Sequence, residues 1–185
     1  MTGRKPSGEE NLPHFYHNKY NRLKKVLAVI GARPQFIKHA CIEIAAKDRL
    51  QLDVVHTGQH YDQNMSALFF DQLNIKAPKY FLEIGSMNHG SQTGKMMEAL
   101  EPLVISEKPD ALLVYGDTNS TLAGALVASK LHIPVIHIEA GLRSFNRQMP
   151  EEINRVLTDH ISNILFNKLN INILIKHSIK LTNQY

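Results

Sequence analysis

The chain has 185 residues, of which 43% are hydrophobic, and this predicts one domain able to bury a core. Its net charge of +4 comes from its ends: residues 1–25 carry six basic and two acidic residues, and 167–185 carry three basic and no acidic residues. Residues 26–166 carry twelve basic and fifteen acidic residues, a balance of −3. This mildly acidic body argues against a nucleic-acid-binding protein, which needs Lys and Arg clustered on a folded face.

The single cysteine, Cys41, rules out an intrachain disulfide, and without a CxxC pair we expect no metal site. Cys41 lies in a helical pattern and is predicted to be a core residue. A lone thiol is typical of a reducing cytoplasm, the location that we expect. No run of about 18 apolar residues is present, so we expect no membrane association.

Residues 1–24 show no sustained hydrophobic period and are interpreted as a flexible leader or an added extension. From residue 25, short apolar runs alternate with helical patterns. The predicted strands cover 26–31, 50–58, 79–85, 111–117, 134–141 and 163–166. The predicted helices cover 35–47, 64–73, 91–107, 120–131 and 151–160. This alternation predicts an α/β fold with a parallel sheet covered by helices on both faces.

The composition changes after Phe166. Residues 167–185 are mostly Asn, Ile, Lys and Leu, with no acidic residue and no glycine. Their apolar residues fit neither a helical nor a strand period. We interpret 25–166 as the folded domain and 167–185 as an aberrant or truncated tail, with a lysine-rich terminal helix as the alternative.

Polar residues follow four of the predicted strands directly. They lie in "GARPQFIK" with Arg33 and Lys38, in "TGQHYD", in "YGDTNST" with Asp117, and in "IEAGLRS" with Glu139 and Arg143. Ligands of parallel α/β sheets bind outside the carboxyl ends of the strands. We therefore expect these residues to meet at one edge of the sheet.

Arg33, Lys38 and Asp117 also have ordinary structural explanations, whereas Glu139 is harder to explain in that way. Arg33 and Lys38 suit a phosphate or diphosphate at a helix N-terminus, but they could equally be solvated surface cations. Asp117 could be an N-cap. Glu139 follows the core run "VIHI" and needs a partner, because burying an unpaired carboxylate is costly.

Two further acidic residues open the predicted helix that follows. Glu151 and Glu152 lie in its first turn, where the helix dipole favours negative charge. The helix dipole explains well why one of these positions is acidic, and it explains adequately why both are.

Two nucleotide-binding motifs are not satisfied. "GSQTGKM" (90–96) is one residue short of a P-loop and ends in Met where Ser or Thr would hold magnesium. No G-x-G-x-x-G is present, so nothing in the sequence predicts a dinucleotide cofactor.

Taken together, "VIGARPQFIK", "TGQHYD", "VYGDTNST", "HIEAGLRS" and "PEEINR" resemble the non-hydrolysing UDP-N-acetylglucosamine 2-epimerase family, in the family's order. The resemblance covers roughly residues 25–166. It implies a Rossmann-like domain that forms one half of a two-domain, GT-B-like architecture, with the active site in the cleft between the domains. This sequence resembles the N-terminal domain.

The resemblance also implies a reaction, in which the C2 proton of the sugar is removed and UDP is eliminated and re-added. No metal or cofactor takes part. The positions that match the family's catalytic carboxylates are Asp117, Glu139 and Glu151. Arg33 and Lys38 match cations near the diphosphate and sugar, and Arg143 is expected to orient Glu139 or the substrate. Homodimerisation through the N-terminal domain is also implied.

The substrate and the activity of the isolated chain stay open at this stage. The segment "GQHYDQNM" (58–65) resembles that of members acting on modified UDP-sugars. A second domain is absent, so a catalytically inactive remnant is an alternative. A third is a glycosyltransferase built from two Rossmann domains, against which the set of carboxylates argues.

Overall fold

A computed structural model describes residues 22–59, 75–167 and 173–175, and within them seven strands and four helices. The strands are β1 Lys24–Ile30, β2 Leu50–His56, β3 Tyr80–Phe81, β4 Ala111–Tyr115, β5 Val135–Ala140, β6 Ile164–Asn167 and β7 Ile173–Ile175. The helices are α1 Arg33–Ala46, α2 His89–Glu107, α3 Asn119–Lys130 and α4 Pro150–Ile161. The predicted helix over 64–73 and most of the predicted leader and tail lie outside the described residues.

The strands form one sheet in the order β3-β2-β1-β4-β5-β6-β7. Strands β1 to β6 pair in parallel, which confirms the predicted Rossmann-like α/β fold. β7 differs from the prediction, because it pairs antiparallel with β6 inside a segment that showed no strand period. Pairing with β6 satisfies backbone groups that an edge strand would leave exposed, whatever the side-chain pattern.

The sheet is covered on both faces. Alternate residues of β1 point to opposite sides: Leu27 and Val29 contact one core, and Val26, Ala28 and Ile30 the other. The first core includes the buried stripe of α2, which is Met96, Leu100 and Val104. The second includes Phe36 and Ala40 of α1. Burial on both faces explains why β1 reads as a continuous apolar run.

α3 packs closely on the sheet, as its small residues predict. A Cβ on Gly124 would lie 3.3 Å from Val114 Cγ1 and 3.3 Å from Val29 Cγ2. Ala123, Ala125 and Ala128 are buried in the same core. Its small residues therefore let α3 lie close enough to the sheet for both α2 and α4 to pack against it.

α4 turns its polar residues inward. Four of its polar side chains are buried: Glu152, Asn154, Thr158 and Asp159. Ile153 and Leu157, one turn apart, are 47% and 45% exposed. Since buried polar groups require hydrogen-bond partners, this orientation indicates that α4 faces a polar centre.

The prediction of a core position for Cys41 is wrong, because its side chain is exposed. Ile37, Cys41 and Ile44 form an apolar stripe at helical spacing, yet Ile37 and Ile44 are 54% and 73% exposed. α1 instead buries the stripe that contains Phe36 and His39. The apolar pattern therefore indicated the wrong face of α1.

Gly58 occupies a turn that no side chain can enter without strain. Its φ is +88°, and a Cβ would lie 2.7 Å from the backbone nitrogen of Ile84. We expect Gly58→Ala to lower the free energy of unfolding by about 2–4 kcal/mol, measured by urea denaturation. Gly85→Ala is the matched control, because a Cβ there meets no described atom within 4 Å. Equal effects of the two substitutions would contradict this explanation.

Candidate active site

The carboxyl edge of the sheet brings Lys38 and Glu139 together, as predicted. Lys38 on α1 donates from Nζ to Oε2 of Glu139, which lies near the end of β5. The side chains are 32% and 21% exposed, so the pair is accessible from solvent. This contact supplies the partner that Glu139 was predicted to need.

The backbone at Glu139 is strained. Its φ is +69°, in the left-handed region that residues other than glycine rarely adopt. The pairing of β5 with β6 also shifts register between Ile138 and Ala140. Such a residue costs about 1–3 kcal/mol and persists only where its surroundings fix it, commonly at functional sites. The strain therefore marks Glu139 as a held position rather than an ordinary strand residue.

Asp117 is not the N-cap of α3, although that was the simplest explanation for it. Thr118 is the N-cap, and its side chain accepts from the backbone N–H of Thr121. Asp117 instead pairs through Oδ2 with Arg155 Nη2 on α4. Its side chain is 31% exposed. Asp117 therefore lies at the same edge as Glu139, also paired with a cation.

Arg155 bridges two carboxylates, since it also donates from Nη1 to Glu152. Burial opposes the charge on Arg155, but Asp117 and Glu152 outweigh it and raise the pKa of Arg155. Glu152 accepts from the backbone N–H of Ser144 at 2.9 Å and of Phe145 at 3.2 Å. The bond from Ser144 is the main cause that holds the pKa of Glu152 below its usual value.

The two acidic residues that open α4 have different environments. Glu151 is exposed, while Glu152 is 2% exposed and holds the loop before the helix. The helix dipole alone does not distinguish them. Arg155 and Glu152 were not among the predicted site residues, although their i, i+3 spacing was a signal for a pair on one helix face.

Arg143 does not orient Glu139, contrary to that part of the prediction. Its Nη1 donates to Asp159 Oδ2 at 2.6 Å and to the carbonyl of Leu142 at 2.6 Å. Asp159 also accepts from His137 Nδ1 at 2.7 Å. Burial opposes ionisation of Asp159, but the bonds from His137 and Arg143 keep its pKa below the usual value. Sequence reasoning missed this buried cluster, because its members lie 16 and 22 positions apart in the chain.

A buried glutamine joins the turns after β1 and β4. Gln35 Oε1 accepts from the backbone N–H groups of Gly31 and Ala32 at 2.7 and 3.0 Å. Its Nε2 donates to the carbonyl of Tyr115 at 2.8 Å. Gln35 thus makes one half of a capping box, in which the side chain of the third helical residue accepts from the backbone N–H of the N-cap residue Ala32. Arg33, the first residue of that helix, is exposed at the same edge.

The turn after β2 joins the same edge. Thr57 Oγ1 lies 2.8 Å from Ser120 Oγ, and Ser120 Oγ donates to Gln59 Oε1 at 2.7 Å. A Cβ on Gly31 would lie 2.2 Å from Ser120 Oγ, so the β1 turn must approach this network closely. The rest of the predicted "TGQHYD" motif, from residue 60, lies outside the described residues.

We expect Arg155→Gln to lower the free energy of unfolding by about 2 kcal/mol, because it removes a largely buried cation that bridges two carboxylates. Urea denaturation of the purified chain measures this. Arg147→Gln is the control, because Arg147 is exposed in the loop before α4. Equal stability of the Arg155 and Arg147 variants would contradict the bridging role.

The described residues contain neither a metal-binding cluster nor a membrane-spanning helix. No group of three or more His, Cys, Asp and Glu side chains could hold a metal ion there. No helix in those ranges is both long and apolar enough to span a membrane.

Comparison with known proteins identifies the family. The model of the UDP-N-acetylglucosamine 2-epimerase family matches residues 42–173. A UDP-N-acetylglucosamine 2-epimerase homolog of Methanococcus maripaludis is 59% identical over 142 residues, which is 77% of this chain and 40% of the relative. The UDP-2,3-diacetamido-2,3-dideoxy-D-glucuronate 2-epimerase of Pseudomonas aeruginosa is 59% identical over 144 residues, 77% of this chain and 41% of the relative.

A solved structure gives the same result. The Methanocaldococcus jannaschii UDP-GlcNAc 2-epimerase, in complex with UDP-GlcNAc and UDP, superposes with a TM-score of 0.75 at 56% identity. The match covers 77% of this chain and 40% of that one. The chain thus spans about two fifths of the length of the relatives that it matches. It belongs to the UDP-N-acetylglucosamine 2-epimerase family and represents the Rossmann-like N-terminal domain of that GT-B-like fold.

Proposed function

We propose that this chain is the N-terminal catalytic half of a UDP-N-acetylglucosamine 2-epimerase, which interconverts UDP-GlcNAc and UDP-ManNAc. The observation that supports this most directly is the contact between Lys38 and Glu139 at the carboxyl edge of the sheet. In the proposed roles, Glu139 is a base and Lys38 is a cation for a phosphate, and the two side chains are in contact. The second ion pair, between Asp117 and Arg155, lies at the same edge.

The proposed reaction requires both kinds of group. A carboxylate accepts the C2 proton of the sugar, the C2–H electrons form a C1–C2 double bond, and the C1–O bond to UDP breaks with its electrons leaving on the diphosphate. UDP then re-adds to the 2-acetamidoglucal, and a proton returns to the other face of C2. The acid and base roles fall to Asp117, Glu139 and Glu151. Arg33 and Lys38 stabilise the charge on the departing diphosphate, and Arg143, whose side chain is 28% exposed, binds the substrate.

The Lys38–Glu139 contact suggests how substrate binding starts the proposed reaction. Without substrate, Lys38 neutralises Glu139. A diphosphate binds a cation with several oxygens and competes for Lys38. Glu139 then loses its ion-pair partner, and its carboxylate is free to contact the C2 proton. Diphosphate binding would in this way activate the base at the moment when the sugar is in place.

A modified UDP-HexNAc is the second candidate substrate. The Pseudomonas aeruginosa relative, named for UDP-2,3-diacetamido-2,3-dideoxy-D-glucuronate, is as similar to this chain as the Methanococcus maripaludis one. The "GQHYDQNM" segment supports the same candidate.

We expect the chain on its own to be inactive. Half of a cleft cannot position a transition state or surround a departing diphosphate with fixed charges. We further propose that it acts in the cytoplasm, where UDP-sugars are made and used, and that it pairs as a homodimer through this domain. Light scattering on the purified chain distinguishes a defined dimer from a monomer or polydisperse material.

A chimera tests the activity. Residues 22–167 would replace the matching part of the Methanocaldococcus jannaschii enzyme, and NMR in D2O would follow deuterium incorporation at C2. Exchange with UDP-GlcNAc supports the proposal, and exchange only with UDP-2,3-diacetamido-2,3-dideoxy-D-glucuronate supports the second candidate. A folded chimera that exchanges neither sugar contradicts both. The intact 185-residue chain is assayed in parallel, and epimerisation by it would contradict the expected inactivity.

A further inference from the structure

A buried histidine lies between the turn that carries Asp117 and the strand end that carries Glu139. His137 on β5 is 0% exposed. Its Nε2 lies 2.7 Å from the carbonyl oxygen of Gly116, the residue before Asp117. Gly116 has a φ of +65°, and its own N–H donates to the carbonyl of Ile138. The histidine therefore attaches the turn of Asp117 to the strand that ends near Glu139.

The same ring is anchored from the other side by α4. His137 Nδ1 lies 2.7 Å from Asp159 Oδ1, and Asp159 is 4% exposed. The second oxygen of Asp159 accepts from the backbone N–H of Gly141 at 3.0 Å and from Arg143. One carboxylate thus holds the chain two residues before Glu139 and two residues after it. These contacts to His137 and Gly141 fix the backbone on both sides of the strained Glu139.

The partners of the ring define its protons. A backbone carbonyl accepts hydrogen bonds and cannot donate them, and an ionised carboxylate is likewise only an acceptor. The pKa of Asp159 is below its usual value, which keeps the carboxylate ionised. A neutral imidazole has only one N–H, so it could satisfy only one of two contacts of 2.7 Å. A donor at each ring nitrogen would satisfy both contacts, and the imidazolium is the form of the ring that carries two donors.

We propose that His137 and Asp159 form a buried imidazolium–carboxylate pair that positions Asp117 and Glu139, neither residue touching the substrate itself. The inference rests on the proposed function only for the catalytic roles of the two carboxylates. The pair connects β5, the β4 turn and α4 at one point. Loss of either member releases the backbone restraint on both site turns, while the Lys38 and Arg155 side chains stay in place.

NMR on the isotope-labelled 185-residue chain tests the pair directly. At about pH 7.5, where an unperturbed histidine is mostly neutral, we expect nitrogen-15 spectra with both ring nitrogens of His137 protonated. A single protonated nitrogen would overturn the proposal. This measurement needs no variant and no substrate, so its outcome is independent of whether the epimerase assignment holds.

Variants test the positioning role. In Asp159→Asn we expect the ring to lose one proton, and the backbone signals of Asp117, Glu139 and Gly141 to shift, including those that report the φ of Glu139. Asp110→Asn is the matched control, since Asp110 also accepts a backbone N–H, from Lys25, and pairs with Arg22 and Lys24 at the opposite edge. A purely structural role would lower stability in both variants and leave the site signals of the folded protein unchanged.

His137→Gln is the second variant, in case Asp159→Asn does not fold. Gln can donate to one of the two acceptors only, so the Glu139 signals should shift as they do in Asp159→Asn. A folded variant of either kind whose Asp117 and Glu139 signals coincide with wild type overturns the positioning role. Adding UDP-GlcNAc to the wild-type chain tests the substrate assignment separately. Unchanged signals of Asp117 and Glu139 would count against the proposed function, but they would not affect the conclusion about the His137–Asp159 pair.

Discussion

Glu139→Gln is expected to lower C2 exchange in the chimera by about 10²–10⁴-fold, the usual contribution of a positioned acid or base. Glutamine has nearly the same size and keeps a hydrogen-bond acceptor for Lys38, but it cannot accept a proton. The loss should fall on kcat, because the variant keeps Lys38 and Arg33, which are proposed to bind the diphosphate. Steady-state exchange rates over a range of UDP-GlcNAc concentrations separate kcat from KM.

Glu98→Gln is the control for this loss, since Glu98 is exposed on α2 and belongs to neither ion pair. It should leave exchange within about twofold of the unchanged chimera, as surface substitutions usually do. If Glu139→Gln retained exchange within about tenfold, the base would have to be another of the three carboxylates. Asp117→Asn and Glu151→Gln, assayed in the same way, would then assign it.

Acidification is expected to destabilise the fold through two buried histidines. Burial lowers the pKa of His39 and of His56 from 6.5 to about 4. Their folded-state pKa lies below the unfolded value, so the stabilisation is complete above about pH 6.5 and is lost as pH falls from there towards 4. At about pH 5 each histidine should already have cost about 2 kcal/mol.

The environments of the two rings explain the direction. His56 Nδ1 accepts from the backbone N–H of Gly58 at 2.9 Å, and a proton on Nδ1 would remove that acceptor. The ring is stacked between Phe36 and Phe81, at 5.3 and 5.6 Å between centroids. His39 is 1% exposed, and its Nδ1 lies 2.8 Å from the hydroxyl of Tyr115. The Glu43 carboxylate lies 3.6 Å from its Nε2 but does not offset the burial that lowers the pKa of His39. Charge on either ring would therefore be poorly solvated.

Urea denaturation near pH 7 and near pH 5 measures this effect. His39→Gln should remove about half of the pH dependence, because Gln keeps a polar group near Tyr115 but does not titrate. His132→Gln is the control, since His132 is exposed at the end of α3. Carboxylates affect the stability only at lower pH. Lys25 and Tyr80 lower the pKa of Glu107 to about 2, so the stabilisation from the ionised Glu107 is lost as pH falls below about 4.5. Equal pH dependence in all three proteins would contradict the role of His39.

The fold and the placement of Lys38, Asp117 and Glu139 at one edge of the sheet could be predicted, because both follow from local patterns. Continuous apolar runs that alternate with helical periods specify a parallel sheet. Its carboxyl edge then selects Lys38, Asp117 and Glu139 from many polar residues. The partners of these residues could not all be predicted. The choice between Glu151 and Glu152 depends on a rotation of about 100° around one helix, which the path of the preceding loop decides.

Some patterns have two physical explanations, and the sequence alone does not choose between them. Asp117 precedes a helix and could have been its cap, but Thr118 takes that position because its hydroxyl reaches the N–H of Thr121. Arg143 follows Glu139 closely in sequence, yet the turn at Gly141, with a φ of +78°, carries it towards Asp159. Cys41 belonged to an apolar stripe, which was not the buried one. In each case tertiary contacts chose between alternatives that were locally equivalent.

The inward polar face of α4 predicts an unusual tolerance to mutation. In an ordinary surface helix, polar substitutions are tolerated on the solvent-exposed face and apolar substitutions on the buried face. Along α4 we expect the reverse for the buried positions. Charged residues at Ile153 and Leu157 should leave stability unchanged, and leucine at Glu152, Asn154 or Asp159 should destabilise the fold. An algorithm that redesigns sequences for hydrophobic burial would therefore remove the residues that hold Asp117 and Glu139 in place. In this helix, the residues that maximise hydrophobic burial are therefore different from those that maintain the polar contacts of the site.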